Sequence, residues 1–328
     1  MGKQIRIGIV GYGNLGRGVE EAVAKNPDME LVGIFTRRAP RALTPLFAQT
    51  PVYAMASLAE FREAIDVLVL CGGSKDDLPR QGPEMAALFN TVDSFDTHAR
   101  IPEYFDAVDA PARANGKTAL ISMGWDPGLF SINRLYGEAL LPDGATYTFW
   151  GKGLSQGHSD AIRRVPGVKA GVQYTIPSPA AIAQVRSGSR PELSTRHKHS
   201  RECYVVLAEG ADAAEVERAI VTMPNYFADY DTQVHFIDEE TLRSEHDRMP
   251  HGGFVIRSGN TSEAHAQVIE YSLQLGSNPE FTASVLVAYA RAAYRLNEQG
   301  QFGARTAFDI APGLLSIKSP AQLRQELL

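Results

Sequence analysis

The stretch Ile5-Arg6-Ile7-Gly8-Ile9-Val10-Gly11-Tyr12-Gly13-Asn14-Leu15-Gly16 decides the fold of the first third of the chain. Ile5 to Val10 is a short apolar run with β-branched residues, the pattern of a strand, and Asn14 to Lys25 reads as a helix. Between them three glycines stand at GxGxxG spacing. Gly11 permits a tight turn, Gly13 lets the backbone approach a pyrophosphate, and Gly16 lets helix and strand pack closely. The helix start adds unpaired N–H groups and a partial positive charge. A lone GxGxxG is a weak signal, but strand before and helix after make it a dinucleotide-binding turn. The alternative is a glycine-rich turn that binds nothing.

Outward from this turn the chain keeps alternating. Met29 to Phe35 reads as a second strand, and Ser57 with Glu60 three residues on is a capping-box signal for a short helix to Ile65. Val67 to Leu70 is a near-continuous apolar strand, as in a sheet covered on both faces. Glu84 to Asn90 reads as helix, Thr91 to Ser94 as strand, Ile101 to Asn115 as helix and Thr118 to Ser122 as strand. Such alternation implies right-handed crossovers and a doubly wound parallel sheet, a Rossmann dinucleotide-binding domain.

The pattern changes near Trp125-Asp126-Pro127-Gly128. Thr146 to Trp150, Glu202 to Leu207, Thr232 to Ile237, Gly253 to Arg257 and Gln267 to Gln274 read as longer strands. They point to an α+β substrate and dimerisation domain on an open, mainly antiparallel sheet. Gly151 to Gly157 and Ser187 to Lys198 read as polar loops. Phe281 to Leu296 is a helix apolar on most sides, expected to be buried at the domain boundary. The tail from Phe302 is expected to pack back on the first domain. The domains are thus expected at 1–125, completed by about 300–328, and at 126–299.

A length of 328 residues fits two such domains without disulfides or a structural metal. With 32 basic and 38 acidic residues the net charge is −6, which disfavours nucleic acid and anionic membrane surfaces as partners. No apolar run approaches the roughly 18 residues of a membrane span. The N-terminus enters a strand at once, without a signal-peptide core. Only Cys71 and Cys203 occur, far apart, as reduced thiols in a cytosol would, so a cytoplasmic location is expected.

The end of the second strand distinguishes the dinucleotides. A reader of the ribose 2′-hydroxyl places Asp or Glu there; this chain has Thr36-Arg37-Arg38. An arginine pair forks onto a 2′-phosphate, so NADP(H) is expected rather than NAD(H), against the alternative of two solvated arginines. The third strand ends in Cys71-Gly72-Gly73-Ser74, at a carboxyl end where ligands of open sheets lie. Ser94, Phe95 and Met123, at the next two carboxyl ends, join the expected cofactor-binding set with Gly11, Tyr12, Gly13, Asn14, Leu15 and Gly16. Cys71 reads as a small core residue. Asp96 and Asp126 follow those two strands. As a carboxylate pair they suit an ammonium substrate and proton transfer; as single residues, helix caps or turn formers. Arg201 is suited to a carboxylate. His251, flanked by Pro250 and Gly252-Gly253, alone reads as a turn histidine, and Trp125 and Trp150 alone read as core. His197 and His199 in RHKH read as a solvated loop; with no HExxH or Cys cluster, no metal is expected.

These residues carry a family resemblance over essentially the whole chain. GYGNLGRG (11–18), FTRR (35–38), CGGS (71–74), VDSFDTH (92–98), GWDPG (124–128), FWGKGLSQGHSDAIRR (149–164), VQYT (172–175), TMPNYF (222–227), MPHGG (249–253) and NPEFTAS (278–284) resemble the meso-diaminopimelate dehydrogenases. The resemblance implies an NADP-dependent homodimer of lysine and cell-wall precursor metabolism. It oxidatively deaminates the D-centre of meso-2,6-diaminopimelate to L-2-amino-6-oxopimelate and ammonia. It further implies Asp96 and Asp126 at the D-amino centre, Trp125 and Trp150 as walls, and Gln156 and Gly157 in a loop over the substrate. Thr175, Arg201, His251 and Asn278 would read the carboxylates and the distal L-centre.

Two alternatives are a different two-domain NADP reductase, such as a semialdehyde or dihydrodipicolinate reductase, and a non-catalytic NADPH sensor. An acylating semialdehyde dehydrogenase needs a reactive cysteine, and Cys203 in an apolar strand is a poor setting for a thiolate. A sensor leaves Asp96, Asp126 and Arg201 without a common task.

Overall fold

The computed structural model describes residues 3–328, apart from the side chain of Gln156. Contacts divide it into two units, one of residues 1–132 with 279–328 and one of residues 133–278. The helix expected in the second domain near 281–296 therefore belongs with the first, and the division falls after Ile132 rather than near 125.

In the first unit the chain runs β1 (Ile5–Val10), α1 (Asn14–Ala24), β2 (Met29–Thr36), β3 (Val52–Ala54), β4 (Val67–Leu70), α2 (Leu78–Ala86), β5 (Asn90–Asp93), α3 (Ile101–Ala114) and β6 (Thr118–Leu120), and enters α4 (Leu129–Leu140). It then holds α10 (Asn278–Glu298), β14 (Gly303–Arg305) and α11 (Pro320–Leu327). The strands form one seven-stranded sheet in the order β14-β6-β5-β4-β1-β2-β3, and every pair in it is parallel. Alternate residues of β4 show why its sequence is continuously apolar. Val67 and Val69 pack in a cluster with Val19 and Val23 of α1 and Leu286 and Tyr289 of α10. Leu68 and Leu70 pack on the other face with Leu78 of α2 and Tyr104 and Val108 of α3. Both faces are covered, the condition for an all-parallel sheet. The tail returns as expected, with β14 beside β6.

Two local expectations differ. Ser57 caps nothing: its hydroxyl donates to Ala54 O at 2.9 Å, and Met55–Phe61 is a 3-10 helix without a side-chain cap. The helix expected from Glu84 instead spans Leu78–Ala86 and holds Pro83 inside it.

The second unit has β7 (Gly144–Trp150), β8 (Gly153–Leu154), α5 (Gln156–Arg163), β9 (Val168–Pro177), α6 (Pro179–Arg186), α7 (Thr195–Lys198), β10 (His199–Leu207), α8 (Ala213–Val221), β11 (Asp231–Phe236), α9 (Glu239–Glu245), β12 (His251–Ser262) and β13 (His265–Leu275). It contains two sheets, β11-β10-β9-β8 and β13-β12-β7. All pairs are antiparallel except β10 with β11. Helices α5 and α8 cover the first sheet through Ile162, Val216 and Ile220 against Cys203 and Val205.

Candidate active site

In the first unit the β1–α1 turn has the shape a pyrophosphate needs. Gly11 has φ +87° and donates its N–H to Phe35 O at 3.0 Å. A Cβ at Gly16 would collide with the Gly11 carbonyl oxygen, so helix and turn touch backbone to backbone. A Cβ at Gly13 would meet nothing within 4 Å. Gly13 is the N-cap of α1 and makes no side-chain cap bond to it. The open face is thus the face the helix dipole makes attractive to an anion. Asn14 and Leu15 open the helix.

Tyr12 turns its ring inward. Its hydroxyl donates to Glu20, and Glu20 also accepts from Leu46 N at 3.0 Å and Thr50 Oγ1 at 2.6 Å. Burial, then the Glu20 bond, pushes the Tyr12 hydroxyl up to about 12. What Tyr12 offers the turn is its main-chain oxygen, which accepts from Arg38 Nη2 at 2.7 Å. Arg38 N donates to Thr36 Oγ1 at 3.1 Å, and exposed Arg37 pairs with Asp77 at 2.8 Å. Both guanidiniums therefore stand at the end of β2, held by bonds of the kind a phosphate can replace. The loop after β4 is fastened to the same Asp77, which accepts from Gly73 N at 3.1 Å. Ser74 Oγ accepts from Asp96 N at 3.1 Å. Cys71 is desolvated and its thiol pushed up, as in a packing residue.

Asp96 is exposed and Asp126 half-buried, at the carboxyl ends of adjacent strands β5 and β6. The Asp126 turn is closed by a bridge from Trp125 to Gly128, where a Cβ would strike Gly124 O. Trp125 meets Phe130 edge-on at 5.3 Å. Phe95 stacks on Tyr104 at 4.1 Å, and Met123 lies wholly in the core, so both are buried beneath this surface; Ser94 is half-buried.

In the second unit a chain of backbone bonds gathers the other residues. Leu154 N donates to Pro250 O, Gly151 N to Gly252 O and Asn278 N to Met249 O, each at 2.9 Å. These bonds draw together Trp150, the 153–157 segment, the His251 loop and Asn278. β8 pairs with β9 at Gly153↔Thr175, and β9 with β10 at Thr175↔Arg201. His251 Nδ1 lies 2.8 Å from Gly252 N and 3.2 Å from Gly252 O, so the ring is held against its own loop backbone. A cavity of about 610 Å³ opens here, lined by Gly151, Lys152, Pro177, His251 and Phe254 among others.

Arg201, paired across the strands with Thr175, is not among the residues that line this cavity and is 6% exposed. Nη1 donates to Thr175 Oγ1, and the guanidinium carbon lies 3.9 Å over the Tyr230 ring. Its buried Nε has no hydrogen-bond partner, and among the described residues no carboxylate pairs with it. Burial lowers its pKa, partly offset by Tyr230. Gln156 opens α5, but its side chain lies outside the described residues; Gly157 is exposed, with space around it.

Several residues here were not singled out in the sequence. Gln173 is fully buried, with Nε2 at 3.4 Å from Thr175 Oγ1 and Oε1 without a partner. Its position two residues before Thr175 puts it on the same strand face, which was the available signal. His158 is bonded through Nδ1 to Ser155 Oγ at 2.8 Å. Burial, then the Arg201 charge, pushes it down to about 4, so it is neutral. His199, expected in a solvated loop, is instead buried at the start of β10. Its Nε2 accepts from Trp150 N at 2.8 Å, its ring stacks on Trp150 at 5.3 Å, and burial pushes its pKa down to about 3. His197 is exposed and caps α7. Among the described residues no group of three or more His, Cys, Asp or Glu could hold a metal ion.

The parallel sheet with its open glycine turn, and the buried Arg201 of the second unit, fit a two-unit dinucleotide-dependent oxidoreductase. Residues 124–277 match the family described as diaminopimelic acid dehydrogenase C-terminal domain. The chain is 65% identical over 99% of both lengths to the meso-diaminopimelate D-dehydrogenase of Ureibacillus thermosphaericus. It superposes on the Corynebacterium glutamicum diaminopimelate dehydrogenase in complex with DAP with a TM-score of 0.93, at 48% identity over all of both chains. An engineered D-amino acid dehydrogenase bound to NADP+ matches with a TM-score of 0.88, at 47% identity over 99% of this chain and 100% of the other. The chain belongs to the meso-diaminopimelate D-dehydrogenase family.

Proposed function

We propose that this protein is an NADP-dependent oxidoreductase acting on the D-centre of meso-2,6-diaminopimelate, which it reversibly deaminates to L-2-amino-6-oxopimelate and ammonia. The observation that carries the reading is Arg201, a buried guanidinium with an unpartnered Nε and, among the described residues, no carboxylate paired with it. Such a group is costly to keep unless a ligand supplies the anion. The substrate, with a carboxylate at each end, supplies it.

Gly11, Gly13, Gly16 and the α1 N-terminus would hold the pyrophosphate of NADP, and Arg37 and Arg38 its 2′-phosphate. When bound, the oxidised nicotinamide supplies the hydride acceptor. Asp96 and Asp126 hold the ammonium of the reacting centre, take the proton it sheds, and activate the water that opens the resulting imine. Arg201 with Thr175 binds the distal carboxylate, and His251 and Asn278 donate to the remaining acceptors. Trp125 and Trp150 wall the chain. Three fixed substituents at each end read its chirality, so the distal contacts decide which centre reacts.

The reading extends to a homodimer in the cytoplasm. In the second unit, Leu135, Tyr136 and Leu140 of α4 and Val268 and Ile269 of β13 are exposed apolar side chains that a second copy would cover. Both cysteines are free, as reducing conditions would leave them. Light scattering tests the dimer.

The test of function is NADPH formation with the meso, L,L and D,D isomers. Turnover is expected with meso and none with L,L, which offers no D-centre. No meso-dependent NADPH formation, or equal rates with L,L, would overturn the reading.

A further inference from the structure

Asp96 and Asp126 stand on separate loops, one after β5 and one after β6, and nothing in their own sequence fixes the distance between them. The last residue of β5, Asp93, touches both loops. Its Oδ1 accepts from Phe95 N at 2.9 Å and from Ser122 N at 3.1 Å, while its main-chain oxygen accepts from Met123 N at 2.8 Å. Its Oδ2 accepts from the Tyr104 hydroxyl of α3 at 2.7 Å. Phe95 directly precedes Asp96, and Ser122 is four residues before Asp126. Ser122 has φ +58°, a left-handed conformation unusual for a side-chain-bearing residue, and the bond to its N–H pins it there.

From these contacts we infer that Asp93 is a positioning residue for the reaction: one carboxylate, bonded to backbone N–H groups of both loops, sets the placement of Asp96 relative to Asp126. The inference rests on the functional reading above and adds a residue to it. Asp93 is 1% exposed and its carboxylate bonds to Phe95 N, Ser122 N and the buried Tyr104 hydroxyl, so it acts through the loops rather than on substrate. Every side-chain neighbour on its strand is apolar or uncharged, and an apolar residue would pack there at less cost than a carboxylate. Burial pushes its carboxyl up to about 6 against the opposing pull of Phe95 N, Tyr104 and Ser122 N, which shows how unfavourable the site is for a charge. A single oxygen that accepts two N–H groups from two different loops is something an apolar side chain does not provide.

Three substitutions of Asp93 and one of Tyr104 test this. Asp93→Ala removes the anchor. Asp93→Asn keeps an oxygen for both N–H groups and turns its amide to the Tyr104 oxygen. Asp93→Glu keeps the charge but lengthens the arm by one methylene. With meso-diaminopimelate, Asp93→Ala and Asp93→Glu should lower kcat by on the order of 100-fold, the scale of a misplacement of about 1 Å. The dissociation constant for NADP+, read by fluorescence titration, should stay within about threefold, and Asp93→Asn should recover kcat to within about tenfold of wild type. Tyr104→Phe, which loses only the contact to α3, should lower the melting temperature and leave kcat within about threefold. Unchanged kcat in Asp93→Ala or Asp93→Glu overturns the inference, as does an equal kcat loss in Tyr104→Phe, which would mark general core damage. If Asp93→Ala does not fold, Asp93→Glu and Asp93→Asn decide by the same criteria. An inert wild type would instead overturn the functional reading and this inference with it.

Discussion

Replacing Arg201 with Met separates binding from stability. The guanidinium is buried, spends Nη1 on Thr175, rests on Tyr230, and has no carboxylate partner among the described residues. If its task is to bind the substrate carboxylate, two charge-assisted hydrogen bonds vanish, each worth about 1.5–3 kcal/mol. At about 1.4 kcal/mol per tenfold, KM for meso-diaminopimelate should rise by about 100-fold or more, while KM for NADP+ stays within about threefold. The fold should respond in the opposite sense. Met forfeits a desolvated cation–π contact of about 2 kcal/mol and a hydrogen bond of about 1 kcal/mol. It also removes a buried unpaired charge whose desolvation costs several kcal/mol. The net is near zero or stabilising, and at about 2–4 °C per kcal/mol the melting temperature should hold or rise slightly. Steady-state kinetics in both substrates with calorimetry reads all three quantities. A steep fall in melting temperature with equal losses for NADP+ and substrate would refute the reasoning and make Arg201 a structural residue.

Three further outcomes follow from the geometry. Gly13→Ala should fold normally, since φ is −97° and a Cβ there meets nothing within 4 Å, yet bind NADP+ at least about tenfold more weakly; Gly16→Ala, whose Cβ strikes Gly11 O, should lose both binding and stability, and equal NADP+ titrations for wild type and Gly13→Ala would sink the turn assignment. Replacing Arg37 and Arg38 together with Ser should cut the NADP+ over NAD+ preference in kcat/KM by on the order of 100-fold, and an unchanged ratio would mean the 2′-phosphate is read elsewhere. His158 and His199 have folded pKa values of about 4 and 3 against 6.5, so the unfolded chain binds more protons and stability should fall as pH drops from 6.5 through 4. Asp93, raised from 3.8 to about 6, works the other way, and the two histidines outweigh it; His199→Gln, which keeps an acceptor for Trp150 N, should flatten the acid limb of a melting-temperature profile, and an unaltered limb would falsify the assignment.

How far the fold was readable depended on whether local pattern and burial agreed. β1, α1, β2 and β4 agree: Val67 to Leu70 is apolar because both faces of the sheet are covered. β3 escaped because three residues at a sheet edge carry too short a pattern. α2 was displaced because Gly82-Pro83 reads as punctuation, whereas in the helix Gly82 makes room for Tyr104. The α10 helix was legible as a buried helix. Its unit was not, because an apolar surface does not name the surface it packs on.

The candidate site was legible where chemistry sits in motifs and hidden where it sits in support. β9 went unread because Gln173 and Thr175 occupy buried positions in a strand whose apolar alternation they break. They lie buried beside Arg201 of the neighbouring strand, so the same side chains that surround the guanidinium erase the periodicity that would reveal the strand. His199 is the converse case. It looks solvated beside Arg196, His197 and Lys198, yet β10 buries positions 199, 201, 203 and 205 in strict alternation. Counting back by two from the apolar Cys203 and Val205 reaches Arg201 and then His199. A polar residue in step with a buried strand face, rather than one in a recognisable motif, is therefore the feature that points to the supporting half of such a site. Asp93, which ends a four-residue strand buried at every position, meets the same criterion.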